Sequence, residues 1–449
     1  MSDVRDWLDP ARCPRERPPR AAMGATTRIL HDALDARAAA TGVGWLHPER
    51  PTIQRDLYGS PEVVAWQEAK AAFLISGDGA WSELPHLYAR YGTPGTARLI
   101  AALRALEGAR CAVVTDSGMQ AFALVADALL GRGDHAIVLR QVYNKTKTFL
   151  EWSARRVGAT VTLVDDGDPA AVAAAVTPAT RFVFAETFTN PLTRAQDVPA
   201  LVAAAGHAKL VLDTTIATPW ALRRPALASG AAVVIGSLTK ALGGQDTALG
   251  GYIATDDSEL GNQLMDLLAM RGGILDDERA ERIAGHLPDA ERAHARRCAT
   301  ATRVAAFLAA HPRIERAFHP SLADHPDAAV TARDYQRPGS LLSFRVAGAD
   351  EARHRHIADV LVSCEIPRYA LSFDGLATKV NHHRTVSEYF TPEDVITRAG
   401  IDRLIRLGIG LEDGDDLIAC LNWTLHHEAS ITVAELDAWR ATRVTAGGR

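Results

Sequence analysis

The sequence predicts an α/β fold built on a mostly parallel sheet, and three observations carry that expectation. Beyond Arg110, short runs rich in β-branched residues alternate with Ala/Leu-rich stretches, the sequence form of a sheet covered on both faces. The runs, such as CAVVT (Cys111–Thr115) and KLVLDTT (Lys209–Thr215), are largely apolar rather than alternating, as strands buried on both faces are. With 449 residues, 47% hydrophobic and 23% charged, the chain can bury a large core and divide into two or three units.

In chain order, Met1 to about Pro51 is Arg/Pro/Ala-rich, with one expected helix over Thr26–Ala40 and no strand pattern. It reads as an arm, to which we assign residues 1–80. Residues 81–285 hold the alternating pattern: CAVVT, MQAFALVADALL, HAIVLRQVY, TVTLVDD, AAVAAAV, RFVFAET, ALVAAAG, KLVLDTT, AAVVIGS and GGYIAT. Glu281–Ala310 is expected to be helical, interrupted at Pro288, and to connect the large unit to a second one over residues 286–449. There LLSFRVAG and LIRLGIG read as strands, and EARHRHIADVLVS and DDLIACLNWTLHH as helices, enough for a smaller α/β domain.

A formal net charge of −5 argues against a nucleic-acid partner, because phosphate backbones need a clustered positive excess. No apolar run approaches the roughly 20 residues of a membrane span, and residues 1–24 lack the apolar stretch of a signal peptide. Cys13, Cys111, Cys298, Cys364 and Cys420 are few and scattered, so neither a disulfide framework nor a zinc site is suggested. A cytoplasmic, small-molecule enzyme is the expectation. The pair His382-His383 predicts no metal site: adjacent residues point apart, and no carboxylate or thiol completes a ligand set.

Chemistry concentrates at the ends of the expected strands. Lys240 follows the apolar run AAVVIGS, with Ser237 and Thr239 before it and a Gly pair after it. A lysine there can form an imine with an aldehyde, and the two hydroxyls can bind a phosphate that anchors such a cofactor. Asp213 ends KLVLD, where a carboxylate is costly unless paired. A protonated pyridine nitrogen is a suitable partner, and a helix or turn cap is the structural alternative. Asp213 precedes Lys240 across one expected strand–helix–strand unit, the order that brings both to one face of a parallel sheet. Ser117, Gly118 and Met119 open a helix after CAVVT, and the free N–H groups of that turn suit a phosphate as well as an ordinary N-cap. Tyr143 and Asn190 lie at two further strand ends, where they could stack on a ring and hydrogen-bond its hydroxyl; a tyrosine at the rim of the core and an Asn-Pro turn are the structural alternatives.

Seven segments then coincide in order and spacing. YARYGTPGTARLIAALRALEG, TDSGM, the Tyr143 segment, ETFTNPL, LDTTIATP, SLTKALGG and LIRLGIGLEDGDDLI together resemble the family of cystathionine γ-synthases, cystathionine γ-lyases and methionine γ-lyases, over about Tyr88 to Leu421. The resemblance implies the aspartate-aminotransferase-like fold of pyridoxal 5′-phosphate (PLP) enzymes, fold type I. It implies that Lys240 holds PLP as a Schiff base and acts as general base, that Asp213 pairs with the pyridinium nitrogen, and that Gly118, Met119, Ser237 and Thr239 hold the phosphate. Tyr143 would stack on the ring and relay protons, and Asn190 would touch the ring oxygen. Tyr88 and Arg90 would reach the phosphate of a neighbouring subunit, making a homodimer or homotetramer with shared active sites. Arg406 would clamp the α-carboxylate of an amino-acid substrate, beside Ser372.

The chain also departs from that pattern. Asn144-Lys145 stands where Gly-Gly or Gly-Cys is usual after the stacking tyrosine, Ala241 where Tyr follows the lysine, Gln245 where His is usual, Ser372-Phe373-Asp374-Gly375 for SLGG, and Gly408 for the Ser of RLSVG. The PLP-holding set is intact, and the changes fall on substrate specificity. Lys145 would favour an anionic group at the γ-end of the substrate, with Asn144 adding hydrogen bonds, unless both are simply solvated. The resemblance implies γ-elimination or γ-replacement on a homoserine derivative or sulfur amino acid. A C–S β-lyase, an aminotransferase and a non-catalytic PLP-fold protein are the alternatives.

Overall fold

The computed structural model describes residues 88–446, apart from 244, 245 and 365, together with a few helical residues between 25 and 36. Most of the expected arm, residues 1–80, lies outside the described residues. A seven-stranded sheet comprises β1 (Cys111–Thr115), β2 (His135–Leu139), β3 (Thr160–Val164), β4 (Thr180–Glu186), β5 (Lys209–Asp213), β6 (Val233–Ser237) and β7 (Gly251–Thr255), in the order β1-β7-β6-β5-β4-β2-β3. Pairing is parallel from β3 through β6, and β7 runs antiparallel to both neighbours. The apolar runs of the sequence are these strands, and every residue of β1 and β2 is buried.

The helices of this unit are α1 (Pro94–Glu107), α2 (Gly118–Leu129), α3 (Asn144–Val157), α4 (Pro169–Ala175), α5 (Val198–Ala205) and α6 (Ser258–Arg271). Their starts follow from short polar side chains: Asp168, Asp197 and Asp257 each accept the backbone N–H three residues on, satisfying a donor the helix cannot. The segment between β5 and β6, expected to be helical, forms turns instead. Pro219 and Pro225 each lack the N–H that a helix interior needs, and buried Trp220 and Leu222 fix the segment to the core.

Helix α7 (Asp277–Ala310) runs unbroken for 34 residues with Pro288 inside it, where the sequence predicted an interruption. Proline removes one i→i−4 hydrogen bond, and burial of Ile283, Leu287 and Ala290 on one side and Ala301, Val304 and Leu308 on the other holds the helix together around it. The second sheet contains β8 (Ile314–Phe318), β9 (Leu341–Val346), β10 (Arg368–Tyr369), β11 (Lys379–His382) and β12 (Ile405–Gly408), in the order β10-β11-β12-β9-β8. Helices α8 (Ala328–Asp334), α9 (Glu351–Ser363), α10 (His383–Val386), α11 (Glu393–Arg398), α12 (Gly414–His427) and α13 (Val433–Ala446) complete the chain.

Period-two alternation gives this small sheet two unlike faces. Leu342, Phe344, Val380, Ile405 and Leu407 pack with Val304, Ile357, Leu361, Leu417 and Leu421 in one core. The opposite face carries Ser343, Arg406 and Asn381 in cross-strand register. It looks toward the large unit, where Ser343 Oγ donates to the Pro191 carbonyl at 2.8 Å. Among the described residues no helix is long and apolar enough to cross a membrane.

Candidate active site

Along the carboxyl ends of the parallel strands, where α/β folds place their ligands, otherwise buried runs end on partly exposed residues. Asp213 closes β5, Ser237 closes β6, Lys240 follows three residues on, and Asn190 and Tyr143 follow β4 and β2. Because β5 and β6 are parallel neighbours, Asp213 and the Lys240 turn come to one edge, as their order in the sequence predicts.

Helix α2 brings the fourth element. Its N-cap is Ser117, whose hydroxyl accepts the Gln120 N–H at 3.3 Å, so the N–H groups of Gly118 and Met119 are left at the positive end of the helix. A Cβ on Gly118 would lie 3.0 Å from Ser237 Cβ, and one on Gly251 would lie 2.3 Å from the Ser117 carbonyl oxygen. These glycines are what let the α2 start close against the end of β6. Ser237 N donates to Thr215 Oγ1 at 2.9 Å, which leaves its hydroxyl without a partner among the described residues. The Thr239 hydroxyl is engaged with both the N–H and the carbonyl of Gly250, at 3.2 and 3.3 Å.

Two carboxylates sit side by side, because Glu186 of β4 is in register with Asp213 of β5. Burial raises both, Asp213 up to about 6, and for Glu186 the Asp213 charge raises it further. Asp213 Oδ1 accepts the Thr215 N–H at 2.8 Å, and Glu186 Oε1 accepts the Tyr143 N–H at 2.6 Å. Glu186 was not singled out in the sequence. The signal for it was the repetition of one pattern, an acidic residue ending two successive apolar runs, RFVFAE and KLVLD.

Lys240 Nζ donates to Ser372 Oγ at 2.7 Å and lies 4.9 Å from the Phe373 ring centroid. Burial pulls its ammonium down to about 8, against the attraction of Asp374 and Asp246. Arg406 is 2% exposed. Its Nη1 donates to Asn190 Oδ1 at 3.4 Å, its Nη2 to the Leu371 and Ser372 carbonyls at 3.0 and 3.4 Å, and its Nε is buried without a hydrogen-bond partner among the described residues. Burial lowers Arg406 to about 10, and it stays cationic at neutral pH.

Lys240, Asp213, Ser237, Gly118, Asn190, Ser372 and Arg406 are thus linked by sheet pairing or direct contact. Tyr143 is placed by Glu186 with its side chain 48% exposed. Asn144 and Lys145 turn toward the segment 387–390 instead: Asn144 Nδ2 donates to the Ser387 carbonyl at 2.7 Å, and exposed Lys145 rests its ammonium 4.7 Å from the Phe390 ring centroid. Arg90 packs on Tyr88 and Tyr91 and donates to the Ala269 carbonyl at 3.1 Å, at the end of α6. His382 and His383 point apart, toward Glu351 at 3.1 Å and Glu388 at 3.9 Å.

The donor set fits PLP. A partly exposed carboxylate raised by burial gains from a cationic ring N–H, a helix start whose Gly118 and Met119 N–H groups are spare beside the Ser237 hydroxyl suits a dianionic phosphate, and a lysine held at about 8 is a competent imine former.

Residues 68–426 match the family of Cys/Met metabolism PLP-dependent enzymes. Cystathionine γ-synthase 1 of Arabidopsis thaliana is 33% identical over 74% of this chain, which spans 58% of that relative's length. Cystathionine β-lyase MetC of Bacillus subtilis is 32% identical over 77% of this chain and 87% of its own. The structure of cystathionine γ-synthase from Xanthomonas oryzae pv. oryzae in complex with cystathionine superposes with a TM-score of 0.76, at 26% identity, covering 92% of this chain and all of that one.

Proposed function

The chain belongs to the Cys/Met metabolism PLP-dependent enzymes, and from that premise we propose that it carries out γ-elimination or γ-replacement on a homoserine derivative or sulfur amino acid, with Lys240 as the reacting lysine. The observation that carries this reading is the Lys240 turn itself: a half-buried amine aimed by Ser372 across from the guanidinium of Arg406, beside the Asp213 strand end. Bound PLP supplies an electron sink that acidifies the substrate's α-C–H bond.

The chain's own residues do the rest. Gly118 and Met119 N–H groups and the Ser237 and Thr239 hydroxyls would hold the phosphate, Thr239 in exchange for its 3.3 Å bond to the Gly250 carbonyl. Asp213 would keep a proton at the ring nitrogen, Asn190 would meet the ring oxygen, and Tyr143 would cover the ring face. Arg406 orients the substrate through its α-carboxylate, with a planar fork that suits a carboxylate. Lys240 Nζ takes the α-proton and can return it further along the side chain. Tyr88 and Arg90 face an adjoining subunit's phosphate, so the working unit is a dimer or a dimer of dimers, in the cytoplasm. We divide the chain into an arm (1–80), a cofactor domain (81–285) and a small domain (286–449).

A second reading, β-elimination, is favoured by the similarity to a cystathionine β-lyase. The test is a purified preparation whose yellow absorbance is bleached by borohydride and fixed to Lys240, followed by keto-acid analysis over a panel of amino acids. 2-Oxobutyrate supports the γ-reaction, pyruvate from cystathionine supports the β-reaction, and a Lys240→Ala variant that folds yet keeps full turnover overturns both.

A further inference from the structure

Between β10 and β11 the chain turns through Ser372-Phe373-Asp374-Gly375, and the first two of these residues meet the reacting lysine. Ser372 touches Nζ, and the Phe373 ring lies against both Nζ and the Arg406 guanidinium, the latter at 5.8 Å. Asp374 is 1% exposed. Ser340 Oγ donates to its Oδ1, while Oδ2 is buried with no hydrogen-bond partner among the described residues. The turn is pinned from behind by fully buried Arg297, whose Nε and Nη2 donate to the Gly375 carbonyl at 3.2 and 2.9 Å.

Two facts make a carboxylate here expensive. Its backbone sits at φ 59°, in the left-handed region where glycine is free of strain. An ionised oxygen buried without a partner also costs several kcal/mol unless opposite charge compensates it. The compensation is local and cationic. Burial raises the Asp374 carboxyl, and Arg297 from α7, the Ser340 hydroxyl, Lys240 from the turn after β6 and Lys379 from β11 offset part of that rise. Seen from Lys240, Asp374 is the strongest attracting charge, ahead of Asp246, with Arg406 and Lys379 opposing. Lys379 and Asp246 form an ion pair with each other, and a Cβ on Gly375 would lie only 2.5 Å from Lys379 Nζ, so that pair is packed onto the same turn. With those two charges matched, Asp374 is the anion that the reacting lysine shares with Arg297, the stronger of the two cations acting on it. It is also the leading charge acting on Arg406.

We propose that Asp374 is a positioning residue for Lys240, a buried carboxylate that strengthens the lysine amine as a proton acceptor; this rests on the reading of Lys240 as the cofactor-bearing base. When the α-C–H bond breaks, its electron pair stays with the substrate and the proton is taken by the Nζ lone pair, so a full positive charge appears opposite Asp374. Burial alone disfavours that charge, and the carboxylate offsets the burial.

Asp374→Asn keeps the volume, an acceptor for Ser340 and a side chain that tolerates the left-handed backbone, and Asp374→Gly removes the side chain at a φ suited to glycine. The holoenzymes are titrated with pH by following the visible band that borohydride bleaches, alongside the pH profile of kcat and the melting temperature. Both variants should bind Lys240's proton about tenfold more weakly, moving the spectral midpoint and the rising limb of kcat about one pH unit lower. A Ser340→Ala control, which keeps the charge, should move them much less. Wild type that carries no borohydride-fixed label on Lys240 overturns the PLP-lysine reading itself. A labelled wild type with unshifted midpoints in both variants, even with lower activity, overturns the role of Asp374 alone.

Discussion

Replacing Ser372 with alanine removes one oxygen and leaves the turn's backbone bonds to Arg406 in place. The Lys240 Nζ to Ser372 Oγ distance of 2.7 Å is that of a charge-assisted hydrogen bond, and such a bond contributes about 1.5–3 kcal/mol. At about 1.4 kcal/mol per tenfold in rate, loss of the aim of Nζ in proton transfer corresponds to a fall in kcat of about 10- to 150-fold. The substrate carboxylate still meets Arg406, held by Asn190 and the Leu371 carbonyl, so KM should change little. Steady-state keto-acid release across substrate concentration reads both quantities, and Ser372→Thr, which keeps a hydroxyl, should recover most of the rate. A rise in KM at constant kcat would refute the argument, as would a threonine variant as damaged as the alanine.

Arg406→Lys should raise KM for amino-acid substrates by about 30-fold or more, since a lysine cannot replace the fork that also holds Asn190, and truncating a buried charged contact costs about 2–5 kcal/mol; steady-state kinetics on one substrate decides it. Glu107→Gln tests a buried network behind the Asp213 strand end, where Tyr252, 3.0 Å from the Thr214 hydroxyl, donates to Glu107 and burial pushes the carboxyl up to about 7. A carboxyl raised in the folded state contributes stability that is fully present below its unfolded value near 4.5 and is lost as pH rises through about 7, an effect of roughly 3 kcal/mol. The glutamine variant should therefore melt higher than wild type at pH 8 and lose that advantage near pH 4.5, as followed by calorimetry. Lys145→Ala should reduce kcat/KM on an anionic homoserine ester less than about fivefold relative to a neutral one, because an exposed ammonium resting on Phe390 contributes at most about 1 kcal/mol to an anion. A larger selective loss on the anionic ester would show that Lys145 leaves Phe390 when substrate binds.

The strands, most of the helices and the chemistry-bearing residues of the large unit were legible because each is a local pattern. A strand buried on both faces is apolar along its middle, as Ala112–Val114 and Val233–Ile235 are, and a helix that starts on Asp or Ser advertises its cap. The edge shared by Asp213 and Lys240 was legible as well, since parallel strands in that order bring both ends to one side. Other features depended on contacts that no local pattern encodes. Pro288 gives the same breaking signal anywhere, and only the two cores flanking α7 decide that the helix continues through it. Strands β8 and β11 escaped notice because IERAF and KVNH carry polar residues that neighbouring strands and the large unit accommodate.

Within the site, the sequence by itself determined which residue types were available: one lysine after a buried strand, a carboxylate at the neighbouring strand end, a glycine at a helix start and an arginine in the late strand LIRLG. Tertiary structure decided which of them meet. Lys145, singled out for its place after Tyr143, stacks on Phe390, while Asp374, met only as a departure from a glycine motif, lies buried against the cations of the site. The reason is physical: an amine's partner is whatever charge shares its low-dielectric space, and Lys240 and Asp374, separated by 134 positions in the chain, share theirs only after the small sheet has packed its polar face against the large one.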